Sequence, residues 1–365
     1  MENKVRFYQA SPAFETVMAI LIGLGVCLTR LSTAVSQISL VLATLTGFYL
    51  WWKNGKRLEL NPLAKKYMKV VGIFFAAALF SVIDVDNKAA TFRYFFGDWI
   101  WRFMVFILIV AFVRQKEYLL KILSGFLGVF SIDCFVACYQ FFILHWERGR
   151  GFHGDYLDLT AIICMVLAMS AIILLDSSFD KNIKKFALLG VISSIAGLFG
   201  CFGRGAFLVS ALVAPFYLFY YLRNSKKIAG IVLIVLLLIG STIVSSPKYV
   251  ERLSTTINTT TNRSNVDRIW TWKASFDMFK DYPINGVGLN NWNWYYKNKG
   301  YRYAEETQNL PHAHSNYMQL LAETGAIGFL GLLYFYGFSL VSPFKRWLEQ
   351  RNPCEIGRAS CRERV

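Results

Sequence analysis

The chain has 365 residues, of which 55% are hydrophobic, 16% aromatic and only 17% charged, with a formal net charge of +16. So low a charged fraction, against the usual quarter, excludes an ordinary soluble domain. The Lys and Arg residues sit in short loops between apolar runs rather than on one basic face, which argues against a nucleic-acid partner and suits contact with anionic headgroups and phosphates.

Apolar runs near twenty residues recur along the chain, the length that crosses a hydrocarbon core of about 30 Å. Without water to satisfy the backbone they must be helices. Spans are predicted at 13–30, 33–52, 67–83, 97–113, 120–144, 157–175, 186–201, 204–222, 228–246 and 317–342. The first run is followed at once by a second and reads as a retained helix, not a cleaved signal. The expected class is an all-α polytopic membrane protein of about ten transmembrane helices. Its expected layout is a nine-helix bundle at 1–246, a large loop domain with short helices at 247–316, a last span at 317–342 and an end segment at 343–352.

Alternate short loops carry the basic residues: Lys53, Lys56, Arg57, Lys65, Lys66 and Lys69, then Arg114, Lys116 and Lys121, then Lys181, Lys184 and Lys185, then Arg223, Lys226 and Lys227, then Lys345 and Arg346. By the positive-inside rule these loops and the N-terminus are cytoplasmic. The long polar loop then lies outside. All four histidines (His145, His153, His312, His314) fall on that outer side, as does Arg204 in a very short turn.

Within the loop, Ser254 to Ser264 is rich in Ser, Thr and Asn, and an amphipathic helix is expected over Asp267 to Lys280, ended by Asp281-Tyr282-Pro283. Gly286-Val287-Gly288 reads as a turn. Trp292, Trp294, Tyr295, Tyr296, Tyr301 and Tyr303 follow, as core packing, an interfacial belt or a stacking surface for sugars. Of seven cysteines none has zinc spacing, and a disulfide framework is not expected. The final segment, Pro353 to Val365, changes composition abruptly and resembles translated adapter or vector sequence. It is set aside as a non-native tail, and the natural chain is expected to continue.

His314 begins the pattern His314-Ser315, nine residues, Gly325, two residues, Gly328. The chain also holds Gly203-Arg204-Gly205, Asp267-Arg268-Ile269-Trp270 and Pro283-Ile284-Asn285-Gly286-Val287-Gly288. In combination these resemble the O-antigen ligase and polymerase superfamily. The resemblance covers about Phe152 to Gly328 in detail and the whole chain in topology. It implies an integral-membrane glycosyltransferase of the C type, commonly with about twelve spans. Such an enzyme takes a glycan from an undecaprenyl-pyrophosphate carrier and gives it to an acceptor hydroxyl, the lipid A core for a ligase or another carrier-linked repeat for a polymerase.

The residue types suit that chemistry. A histidine of near-neutral pKa accepts a proton from the attacking hydroxyl. Arginines match phosphate oxygens in forked geometry and stay charged while the diphosphate leaves. The expected roles are therefore catalysis by His314 and donor pyrophosphate binding by Arg204 and Arg268. His312, Glu323 and Arg150 are accessory candidates, Arg150 in an outer turn Glu147 to Tyr156 with Arg148 and His153. Neither a metal nor a cofactor is called for. Structural readings stand beside these: His314 as a helix cap, Arg204 snorkelling to headgroups, Glu323 satisfied by Gln319 or by an arginine partner. Gly325 and Gly328 read as close-packing positions. Asp133, in mid-span, and Arg102, one turn after Asp98, are either a structural pair or relay groups. A transporter or glycolipid flippase is the rival class. Against it stand the absence of an internal repeat and of clearly paired broken helices.

Overall fold

The computed structural model describes residues 12–53, 60–83, 85–176, 178–201, 262–304 and 310–351, with single residues at 55, 58, 203, 250 and 260. Its helices are α1 (Pro12–Cys27), α2 (Thr33–Lys53), α3 (Pro62–Leu79), α4 (Lys88–Tyr94), α5 (Trp101–Phe112), α6 (Lys116–Phe142), α7 (Tyr156–Leu175), α8 (Lys181–Cys201), α9 (Arg263–Asp281), α10 (Trp292–Asn298) and α11 (Asn316–Arg351). No strand occurs among the described residues, and the protein is an all-α polytopic membrane protein. Six described helices are long and apolar enough to cross a bilayer, and Ala13–Cys27 is a shorter apolar helix. The spans expected at 204–222 and 228–246, and the tail from Pro353, lie outside the described residues.

The chain forms two compact units, Met1–Glu59 with Met104–Ile257 and Leu60–Phe103 with Asn258–Val365. In the first, α6 packs on α8, α8 on α7, and α1 on α2 and α6. The α8 glycines make the approach to α6 possible. A Cβ on Gly197 would stand 2.8 Å from the Cys134 sulfur, and one on Gly200 3.0 Å from the Ala137 carbonyl carbon. Small residues admit close backbones where lipid offers no hydrophobic drive between helices. Cys134 is thus a packing residue, and the five described cysteines are free thiols.

The same unit answers the question of its intramembrane charges. Asp133 is fully buried and pairs with Arg30, Nε to Oδ2 at 2.8 Å. Arg102, which belongs to the second unit, meets Asp98 at 3.2 Å on an exposed surface, so Asp133 and Arg102 are not partners. Arg30 also donates to the Arg150 carbonyl at 2.8 Å, and Asp133 accepts from the Phe152 N–H at 2.6 Å. Gln140 clasps the turn as well, accepting from the N–H groups of Arg150 (2.8 Å) and Gly151 (3.0 Å) and donating to the Gly151 carbonyl (2.8 Å). The buried pair therefore anchors the Glu147–Tyr156 turn.

In the second unit, Asn61 caps α3 through Ala64 and Pro62 opens it, a favoured combination at a helix start. The helix begins earlier than its apolar run, so Lys65, Lys66 and Lys69 ride on its exposed first turns. α3 runs antiparallel along α11: the Tyr67 and Phe338 rings meet at 5.1 Å, those of Phe74 and Phe335 at 5.9 Å. Residues 80–83 and 85–94 and part of the polar loop consequently share one end of this unit. Thr91 there donates to the Leu289 carbonyl at 3.1 Å.

α11 is not the continuous span its hydropathy suggests. Gly325 adopts φ 60°, ψ −161° and breaks it. A break at this depth frees backbone groups that must find partners. The Pro283–Gly288 turn supplies all four. The N–H groups of Val287 and Gly288 donate to the carbonyls of Ala322 (2.9 Å) and Glu323 (2.8 Å), while those of Ala326 and Ile327 donate to the carbonyls of Pro283 (2.8 Å) and Ile284 (3.3 Å). Both backbones need glycine at the contact. A Cβ on Gly286 would lie 2.5 Å from the Ala322 carbonyl oxygen, and one on Gly325 2.5 Å from the Ile284 carbonyl carbon. Two motifs forty residues apart in the sequence are one hydrogen-bonded joint.

Candidate functional site

The site is built on α9, α10 and the first half of α11, all in the second unit. α9 starts at Asn262, whose side chain accepts from the Asn265 N–H at 3.3 Å, and stops just before Pro283. Asp267, Thr271, Ala274, Ser275 and Met278 form its buried face. Against them pack Val287, Trp292, Tyr295, Tyr296, Ala313 and Ala322. Of the three aromatic readings, packing therefore holds for Trp292, Tyr295 and Tyr296. Tyr301 and Tyr303 bond to Asp281 (2.6 Å) and Asp277. The Asp281 carboxylate, after burial, holds the Tyr301 phenol above its ordinary range.

The peptide of Ala313 is gripped at both ends. Its carbonyl accepts from the Thr271 hydroxyl at 3.3 Å, and its N–H donates to Gln319 Oε1 at 2.8 Å. Gln319 Nε2 in turn donates to Glu323 Oε1 at 2.7 Å, one turn further along α11. Glu323 is buried and also accepts from the Trp292 N–H at 3.4 Å, while the Trp292 indole donates to Ser275 at 2.8 Å. Glu323 is thus satisfied by Gln319 and backbone donors rather than by an arginine.

This grip holds the next residue, His314, at φ 50°. A non-glycine residue seldom adopts that left-handed conformation, and it persists where surroundings over-determine it. Ser315 takes over the capping role: its hydroxyl accepts from the Met318 N–H at 3.4 Å, and its carbonyl from the Gln319 N–H at 2.8 Å. The imidazole of His314 is therefore not the cap. It lies half-buried with its ring centroid 4.1 Å from that of the exposed His312. Desolvation, then the neighbouring His312 and the Arg268 guanidinium, push the His314 pKa down to about 4. Burial also lowers that of His312. At neutral pH His314 is uncharged, with a lone pair for a proton.

Of the expected site residues, His314, His312, Arg268 and Glu323 come together in one unit. Arg150 belongs to the other unit, with its main chain bound into the Glu147–Tyr156 turn. Arg204 lies outside the described residues. Sequence reasoning missed Thr271, Ser275 and Trp292 as supports of the histidine loop. Nothing marks them locally, since Thr271 reaches a partner 42 positions away. The spacing of Gln319 and Glu323, one helical turn apart on a span, was a usable signal.

Residues 189–333 match the family described as O-Antigen ligase. That stretch contains Arg204, Arg268, the Pro283–Gly288 turn and the His314–Gly328 pattern. The chain is also similar to an uncharacterised protein of Haemophilus influenzae, 24% identical over 306 residues that cover 76% of this chain and 72% of that protein.

Proposed function

We propose, for a chain whose residues 189–333 match the O-Antigen ligase family, that it transfers a glycan from undecaprenyl pyrophosphate to a hydroxyl of the lipid A core on the periplasmic face of a bacterial inner membrane. The observation that carries the reading is a neutral histidine, His314, held on a strained backbone beside the charge of Arg268. The acceptor oxygen attacks the anomeric carbon as the bond from that carbon to the diphosphate oxygen breaks. The hydroxyl proton passes to the His314 imidazole, and the electron pair leaves on the carrier diphosphate. Arg268, with Arg204, balances that charge. Attack opposite the leaving group inverts the anomeric configuration.

A base of pKa about 4 is fully unprotonated at neutral pH but weak. The arriving diphosphate corrects this. Its negative charge offsets Arg268 and raises the affinity of His314 for a proton only when donor is bound. Thr271, Gln319 and Glu323 act as positioning residues through the Ala313 peptide. The break in α11 does not favour a transporter, because the Pro283–Gly288 turn satisfies its exposed backbone groups.

The test supplies full-length protein with purified undecaprenyl-pyrophosphate glycan and either lipid A core or a second carrier-linked repeat, with and without excess EDTA. Transfer to lipid A core, lost in His314→Ala and unchanged by EDTA, is the expected outcome. Growth of chains on the carrier assigns the polymerase reaction of the same superfamily instead. Equal transfer by wild type and His314→Ala removes the histidine from catalysis, and loss in EDTA restored only by Mg²⁺ or Mn²⁺ removes the metal-free mechanism.

A further inference from the structure

α9 has a buried face of mixed polarity and, opposite it, an apolar stripe that packing does not explain. Opposite the buried face, Ile269 (43% exposed), Trp272 (38%) and Phe276 (47%) form a stripe at i, i+3 and i+7. Lys273 and Lys280 flank it. Lys280 pairs with Asp277 at 2.6 Å and lies over the Phe276 ring at 5.5 Å, and Lys273 lies over the rings of Trp270 and Tyr303. Both cations thus lie along aromatic surface. The helix has 19 residues and is far too polar to cross a bilayer.

Its position relative to a membrane is constrained from within its own unit. The chain leaving α9 is bonded through the Pro283 and Ile284 carbonyls to the N–H groups of Ala326 and Ile327. Those residues belong to a helix apolar enough to span, Asn316–Lys345. The C-terminal end of α9 is therefore tied just past the Gly325 break, where the run of that helix free of charged residues, 326–344, begins. Ile284 there is 60% exposed, and Leu330, one turn past the break, is 63% exposed. The stripe on α9 continues in sequence into this apolar surface.

We propose that α9 lies in the headgroup region of the bilayer, with Ile269, Trp272, Phe276 and Ile284 inserted toward the acyl chains and Lys273 and Lys280 among the lipid phosphates. A helix with a Trp/Phe/Ile face and flanking lysines has the composition of an interfacial helix. The partner is the protein's own membrane, by acyl-chain burial and attraction to anionic headgroups. At 1.5 Å per residue the helix lies along about 28 Å of that surface. If the donor reading holds, insertion also brings Arg268 and the His314 loop to the level of a carrier diphosphate. The insertion itself does not depend on that reading.

The test uses full-length protein in phosphatidylethanolamine and phosphatidylglycerol vesicles whose acyl chains are brominated near the headgroup. The emission of wild type minus that of Trp272→Phe reports Trp272 alone. Quenching of this difference by brominated lipid, with little quenching by aqueous iodide, is expected. Quenching by iodide and not by lipid overturns the proposal. So does an iodide-quenched signal that becomes shielded when lipid-linked glycan is added, which would make the stripe a sugar-stacking surface. If Trp272→Phe is not recovered folded, a nitroxide on Phe276→Cys, read over the signal of the protein without that substitution, decides. Faster relaxation by oxygen than by a nickel chelate supports insertion, and the reverse order overturns it.

Discussion

His314 draws its character from three neighbours, and its titration separates their effects. Burial, His312 and Arg268 lower its pKa to about 4. In the proposed reaction the neutral form is the base, so activity should be retained above the pKa and lost as pH falls through it. The acid limb of kcat/KM should therefore lie near 4 rather than near the ordinary 6.5 of histidine. That of kcat, reporting the donor-bound state, should lie higher. Arg268→Ala should move the kcat/KM limb upward by removing a repelling cation. Steady-state profiles from pH 3.5 to 8 measure both effects, and a wild-type kcat/KM limb at 6.5 would contradict the desolvated environment. Glu323 offers a second test at this scale. Its Oε1 acts only as an acceptor, from Gln319 and Trp292. Glu323→Gln keeps that oxygen and should preserve most activity. Glu323→Ala leaves the buried Trp292 N–H unpaired, at a cost of about 1–3 kcal/mol, and releases the half-buried Gln319 amide. It should lower kcat more than it raises KM, since the Ala313 peptide loses its brace.

At the scale of elements, the joint between the α11 break and the Pro283–Gly288 turn is the most demanding piece of backbone. Gly325→Ala combines a left-handed φ with a Cβ driven into the Ile284 carbonyl. A loss above about 1–2 kcal/mol is expected from conformation alone. Thermal unfolding of purified protein in detergent should show a clear drop in Tm, matched by Gly286→Ala because the two glycines face each other's backbones. A Tm equal to wild type in either variant would mean that the break is not held as described. The joint also explains how two separate motifs support one function: the turn fixes where the first half of α11 ends, and that half carries Gln319 and Glu323 to the histidine loop.

The buried Arg30–Asp133 pair acts across a larger range, linking α6, the segment between α1 and α2 and the Glu147–Tyr156 turn within the first unit. Removing one partner strands a charge and should cost about 3–5 kcal/mol, whereas removing both relieves that penalty. Asp133→Leu alone should therefore lower Tm more than Arg30→Met with Asp133→Leu. The double variant should still fall short of wild type, since Phe152 and Arg150 also lose hydrogen bonds. A double variant no better than the single one would deny the pair its ionic role.

Across the whole molecule, what the sequence determined by itself was everything carried by local composition. The apolar runs are helices in all eight expected spans that the described residues cover, because only a helix satisfies its backbone hydrogen bonds within one segment in a bilayer. The amphipathic helix was legible, found at Arg263–Asp281 rather than Asp267–Lys280, and the spacing to Gly325 and Gly328 singled out His314 as the proposed base. Tertiary structure decided the rest. The hydropathy of 317–342 gave no sign that Gly325 breaks the span, since a break costs nothing in apolar composition and depends on a distant turn to satisfy its groups. Asp133 found Arg30 at a separation of 103 residues instead of Arg102. Thr271 and Trp292 became supports of His314 only through contact. A residue's type and spacing state what chemistry it can do. Which groups desolvate it, brace it and set its charge depends on neighbours that only folding brings within hydrogen-bonding distance.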